Sequence, residues 1–149
     1  MRLLITVSLL LFFLKASSQQ SNKNVDSLLN AYKINSELKN YATLAHDVSV
    51  KYGKAGDFVK ALKYALKEVK FKKHLPVERQ KNSLFNLGLF FYKNQAYSKS
   101  IDAYNKVIDS FSSDEFTYRA YCENARNYDK LGDFYLARNY YKKGLSHPK

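Results

Sequence analysis

The amino-acid sequence predicts an all-α protein, a solenoid of three helix–turn–helix hairpins preceded by one helix. Three observations carry that expectation. The stretch KAGDFVKALKYALKEV, Lys54 to Val69, returns as KLGDFYLARNYYKKGL, Lys130 to Leu145, with Lys, Gly, Asp, Phe, Ala, Tyr and Lys in register. A weaker copy, KNQAYSKSIDAYNKVI from Lys93 to Ile108, sits between them, so the copies are spaced by 39 and then 37 residues. Self-similarity at such a period marks stacked repeats rather than a closed globule. Finally, beyond residue 24 the apolar residues recur at helical spacing, as in Ala61, Leu62, Ala65, Leu66 and Val69, with no strand-like alternation.

The chain opens on a segment that does not belong to the fold. Arg2 supplies a short positive start, Leu3–Leu14 (LLITVSLLLFFL) is an apolar run, and Ala16-Ser17-Ser18 places small residues at both ends of a cleavage signature. That layout predicts a secretory signal peptide over residues 1–18, cut between Ser18 and Gln19. A retained membrane anchor is the alternative, but a run this short is poorly matched to a bilayer. No transmembrane segment is expected once the signal is removed. The protein is therefore expected to be exported, to the periplasm, the cell envelope or the medium.

Residues 19–40 form an N-terminal segment whose pattern VDSLLNAYKINSELK, Val25–Lys39, predicts the leading helix. Residues 41–149 hold the three copies, at about 42–80, 81–117 and 118–149. Short breaks at Gly53–Gly56, Asn94-Gln95 and Gly132 divide each copy into two helices. Between copies, Pro76 suits the first turn of a new helix, and Ser112 with Glu115 reads as a capping box. The first helices align as Ala45-x-x-Val48-Ser49-x-x-Tyr52, Leu84-x-x-Leu87-Gly88-x-x-Phe91 and Tyr121-x-x-Asn124-Ala125-x-x-Tyr128. Small residues at Ser49, Gly88 and Ala125, facing Ala61, Ser100 and Ala137 in the second helices, let the two helices of each hairpin approach closely.

These motifs resemble the tetratricopeptide (TPR) family, whose pattern W-x-x-L-G-x-x-Y, G, A-x-x-x-F, P is best met by Leu84–Tyr104 and by Gly132-Asp133-Phe134…Ala137…Tyr141. The resemblance covers Tyr41 to Lys149 and implies a right-handed solenoid. The sequence departs from the pattern in lacking Trp, in carrying Gln95 where Gly is usual, and in carrying Glu68 and Val107 where a second small residue is usual. The longer repeats with a leading helix also look like the TPR regions of exported bacterial signalling proteins.

Composition and charge narrow the function classes. The full chain of 149 residues has a formal charge of +12; without residues 1–18 it would carry 23 Lys+Arg (25 less Arg2 and Lys15) against 13 Asp+Glu. In an exported protein that balance points to solubility or an anionic partner, and nucleic acid is not expected. Cys122 is the sole cysteine, so stability rests on packing, to which thirteen Tyr contribute. No catalytic constellation assembles: His46, His74 and His147 are scattered, no cluster has metal-ligand spacing, and no Gly-rich loop follows a strand. The expectation is a protein that is not an enzyme and needs no cofactor or metal.

What the resemblance implies about binding is more specific. It places Thr43, His46, Val50, Gly53 and Lys54 on a concave face, followed by Asn82, Phe85, Leu89, Tyr92 and Lys93, and then by Arg119, Cys122, Arg126, Asp129 and Lys130. The candidate binding residues are Phe85, Leu89 and Tyr92, which give an apolar, aromatic floor, Asn86 from the clamp pattern, and Arg119, Arg126 and Lys130, which give cations. Such a face suits a protein or peptide with hydrophobic anchors and an acidic portion. The family's carboxylate clamp is not supported: Asn86 and Arg119 match it, whereas His46, Val50 and Glu123 do not. Phe85 and Leu89 could instead be covered by the leading helix. Two other readings stay open, an input module of a larger sensor kinase or transcription regulator, and a cationic binder of anionic envelope polymers through Lys67–His74 (KEVKFKKH). Because the chain stops where the third hairpin ends, oligomerisation through that hairpin is a further expectation.

Overall fold

The computed structural model describes Ser27, which is helical, and residues 38–111 and 115–146. The signal segment, most of the leading helix and Ser112 of the capping box lie outside those residues. The described residues are helical throughout, with no strand among them. They form α1 (Leu38–Lys54), α2 (Phe58–Lys70), a 3-10 turn (Lys72–His74), α3 (Val77–Lys93), α4 (Tyr97–Ser110), α5 (Glu115–Leu131) and α6 (Phe134–Leu145). Each helix packs on the next along the chain, and α3 also touches α5, the signature of a stacked array of hairpins. Pro76 stands one residue ahead of α3, where its missing N–H costs nothing.

All three hairpins turn in the same way. In the first, Gly56 N–H bonds to Gly53 O at 3.1 Å and Asp57 N–H reaches back to Tyr52 O at 3.0 Å, which pairs the last carbonyls of α1. Gln95 and Ala96, then Gly132 and Asp133, repeat both bonds. This closure needs a left-handed residue at its centre, and Gly56 (φ 80°), Gln95 (φ 60°) and Gly132 (φ 81°) supply it. Asp57 and Asp133 then cap the following helix through Lys60 N and Leu136 N. The middle copy, with Ala96 at that place, has no side-chain cap.

Close packing within a hairpin depends on the small positions. Ser49, Gly88 and Ala125 are buried, as are Ala61, Ser100 and Ala137. At Gly88 the Tyr104 ring lies so near that a β-carbon would stand 2.8 Å from it. Two core clusters follow along the stack. Ala61, Ala65, Leu87, Phe90 and Ala103 make the first, and Leu84, Phe85, Tyr104, Val107 and Ala120 the second, with Val69 packed against both.

The two junctions between hairpins use different chemistry. Phe90 inserts where Gly53 leaves room, since a β-carbon there would come within 2.7 Å of its ring. Asn127 occupies the equivalent position one copy on. It donates from Nδ2 to Ser100 Oγ at 3.0 Å, and Ser100 donates to Gly88 O at 2.8 Å, so a buried polar chain replaces the aromatic wedge.

Two substitutions test this account, with opposite signs. Gly88→Ala should lower stability by about 1–3 kcal/mol, because the Tyr104 ring cannot retreat without disturbing its cluster. Gln95→Gly should raise it by about 1 kcal/mol, the left-handed penalty less the extra chain entropy of glycine. Urea denaturation of both variants beside the parent reads each effect, and a neutral Gly88→Ala would remove the close approach as an explanation of the fold.

Candidate functional site

The first helices α1 and α3 bound an open pocket of about 360 Å³. Val50, Gly53 and Lys54 come from the last turns of α1, and Asn86, Leu89, Phe90 and Lys93 from α3, with Phe58 closing one end from the start of α2. The pocket exists because Gly53 adds no side chain where Phe90 crosses from α3 to α1. Its floor is apolar, from Val50, Leu89, Phe90 and Phe58, and its rims are cationic. Lys93 Nζ lies 5.6 Å from the centre of the Phe58 ring, a cation–π contact that holds the ammonium at the pocket's edge. Nearby, Asn94 Nδ2 donates to Phe58 O at 2.8 Å and ties the two hairpins together beneath it.

The structure divides the sequence-predicted site residues into groups. Asn86 and Leu89 line the pocket. Phe85 does not: it is 8% exposed and belongs to the second core cluster, edge-on to Tyr104 at 5.1 Å and Phe116 at 5.9 Å. Arg119 lies over the Phe85 ring at 4.8 Å and covers it, which makes one cation–aromatic stack out of two predicted residues. Tyr92 is half-buried and packs edge-on against Tyr97. Arg126 is exposed and paired with Glu123 at 3.0 Å, and Lys130 is exposed near the end of α5. Tyr104, fully buried beneath these residues, has a hydroxyl without a hydrogen-bond partner among the described residues, and burial pushes its pKa far above the tyrosine range.

A second cluster went unread in the sequence. Glu68 is fully buried in α2. Its Oε1 lies 2.9 Å from His46 Nδ1 of α1 and also accepts from Ser83 Oγ of α3, so one carboxyl oxygen joins three helices. Its Oε2 has no hydrogen-bond partner among the described residues. The available signal was the misfit of Glu68 in the repeat, where the later copies carry Val107 and Gly144. Gly144 meets the alternative demand: a β-carbon there would overlap Cys122 Sγ. Cys122 itself is half-buried, and burial raises its thiol pKa, which disfavours the reactive thiolate. Among the described residues no group of three or more His, Cys, Asp or Glu is placed to hold a metal ion, and no helix is long and apolar enough to cross a membrane.

No family model and no curated protein matches the chain. Solved structures do. BtubC (BKLC) from P. vanneervenii superposes with a TM-score of 0.72 at 16% identity, over 88% of this chain and 61% of that one. The nearly identical TPR-like repeats of a kinesin light chain from Podosopora anserina give 0.73 at 16% identity, over 88% and 68%. MamA MSR-1 C2 gives 0.68 at 14% identity, over 87% and 68%. The chain thus spans about three-fifths of the BtubC structure. At these identities the likeness establishes a TPR-like helical-repeat fold.

The His46–Glu68 contact makes the stability of the first hairpin depend on pH. Its hydrogen bond to Glu68 holds the His46 imidazole above the usual histidine range, against partial burial and the charge of Arg79, with Asp47 adding a smaller upward push. A raised pKa contributes stability that is complete below about pH 6.5 and is lost as pH rises through the folded value. The melting temperature should therefore fall as pH rises above about 6.5, and His46→Gln should flatten that slope. An unchanged slope in the variant would assign the pH dependence to other groups.

Proposed function

We propose that this TPR-type solenoid is an exported, non-enzymatic interaction scaffold that holds a protein segment along the groove formed by its first helices. The observation that carries the reading is the α1–α3 pocket, with an apolar floor between two lysine-bearing rims. Burying an apolar side chain there supplies affinity in proportion to the area removed from water. Cations at the rim favour an acidic neighbourhood around that anchor and speed its encounter with the groove. A TPR-like fold is consistent with protein partners, and the surplus of Lys and Arg with acidic ones.

Anchored recognition and simple charge attraction make different demands. With short fluorescein-labelled peptides, each carrying one Leu or Phe among Asp and Glu, fluorescence anisotropy should show binding that Leu89→Ala weakens by about 2 kcal/mol. Replacing Lys70, Lys72 and Lys73 together with Gln should leave it nearly unchanged. The opposite pattern, a silent Leu89→Ala and binding that collapses with the lysine triplet, would instead identify a binder of anionic polymers acting through the turn after α2.

Export is supported by the layout of residues 1–18. Mass spectrometry of the protein from its native host should find a mature N-terminus at Gln19. Intact Met1–Leu14 in a soluble cytoplasmic fraction would defeat that part of the proposal.

A further inference from the structure

The last hairpin leaves open a face that the first two cover. Along the second helices, four positions recur at spacings of four, three and four residues. They are Phe58, Leu62, Ala65 and Val69 in α2, Tyr97, Ile101, Tyr104 and Ile108 in α4, and Phe134, Arg138, Tyr141 and Leu145 in α6. That spacing puts each set on one stripe of its helix. In α2 the stripe packs into the cluster that holds Leu87 and Phe90 of α3. In α4, Tyr104 and Ile108 pack in the cluster that holds Ala120 of α5, and Ile101 is buried. In α6 the same positions are open: Phe134 is 69% exposed and Leu145 80%, and Arg138 and Tyr141 are exposed as well. The next position along the helix provides a control. Val59, Ser98 and Tyr135 are exposed in all three copies, so that position faces solvent throughout the array. What changes in α6 is the cover over the stripe.

One substitution within the stripe says what should cover it. Arg138 stands where α2 has Leu62 and α4 has Ile101, so a helix laid over α6 as α3 lies over α2 would enclose a guanidinium. A charge that loses its water is costly unless a carboxylate meets it. We propose that Phe134, Arg138, Tyr141 and Leu145 form a second docking surface, which takes an amphipathic helix of another protein whose apolar stripe carries one carboxylate opposite Arg138. A helix is the shape that fits, because α3 and α5 fill this place in the earlier hairpins. Amphipathic helices dock through anchors three and four residues apart, the spacing of this stripe. Phe134 and Leu145 supply apolar contact on either side of the charge. A second copy of this chain offers the wrong charge, since pairing two α6 faces would bring Arg138, Lys142 and Lys143 of both copies together. The surface shares no residue with the α1–α3 pocket, so the inference is independent of the groove reading.

The test uses the full chain and three fluorescein-labelled, helix-stabilised peptides. The first carries Leu at alternating spacings of three and four residues, with a single Glu at the centre of that stripe. The second has Lys in place of the Glu, and the third scrambles the first. Anisotropy titrations at about 150 mM salt should show the first binding about tenfold tighter than either of the others. Arg138→Glu should reverse the preference between the first two, an inversion that misfolding cannot produce. Leu145→Ser, at an exposed position, should weaken the first peptide about tenfold, and Leu89→Asp, on the pocket floor, should leave it unchanged. Equal binding of the first and the scrambled peptide, or an Arg138→Glu variant that keeps the parent's preference, would overturn the proposal. Binding lost in Leu89→Asp would move the peptide to the groove and overturn it too, as would no binding by any of the three. Sedimentation velocity addresses the other occupant: a dimer of the full chain that Leu145→Ser dissociates would put a second copy on α6 and defeat the proposal.

Discussion

How near the two helices of one hairpin can come decides most of this structure. At the centre of the array that distance is set by Gly88, whose absent side chain is filled by the Tyr104 ring. Tyr104 in turn is the largest fully buried side chain among the described residues, and it brings Phe85, Leu84 and Val107 into one cluster. Phe85 lies in that cluster rather than on open groove floor because Tyr104 and Phe116 meet its edges and Arg119 closes its face. The outer hairpins reach similar closeness with Ser49 and Ala125, and there Tyr52 stacks on Tyr64 and Tyr128 meets Tyr140. Small residue beneath, aromatic above: this arrangement positions the first helices, and the groove is the space they leave between them.

One repeat position shows how a shared backbone accommodates unlike residues. Glu68, Val107 and Gly144 are equivalent along the three copies. Val107 is ordinary core, and Gly144 lets α6 press on Cys122. Glu68 is a buried carboxyl, which is costly unless paired. His46 and Ser83 pair one of its oxygens, and these partners lie 22 and 15 residues away, on the helices before and after. A polar residue in a core position thus becomes the place where three helices are joined by direction-dependent bonds rather than by area alone.

The fold was legible because repetition multiplies weak signals. No single GDF or small–aromatic pair identifies a hairpin, but three copies in register do, and the breaks at Gly56, Gln95 and Gly132 fall where the chain turns. The site was legible only in part. Asn86 and Leu89, which the family resemblance singled out, do line the pocket. Phe58 and Phe90 could not be placed there, because both also read as core residues and only the missing side chain at Gly53 opens space beside them. The burial of Phe85 was hidden for a related reason: register assigns a face to a side chain, but not the neighbour from the next hairpin that will cover it. The His46–Glu68–Ser83 cluster depends on contacts between separate helices, which no local pattern encodes.

The contrast between Phe90 and Asn127 reaches beyond stability to the order of the copies. Each residue fits the hairpin before it: Phe90 needs the vacancy at Gly53 and the methyl surface of Ala61, and Asn127 needs the hydroxyl of Ser100. Exchanged, the phenyl ring would press on a hydroxyl, and the amide would face a methyl group in place of the hydroxyl that accepts from it. The copies are therefore not interchangeable modules, even though they share a backbone. Each junction acts as a grammar rule about which unit follows which, so duplicating or shuffling hairpins in this chain would demand a matching change in the neighbour at every new seam.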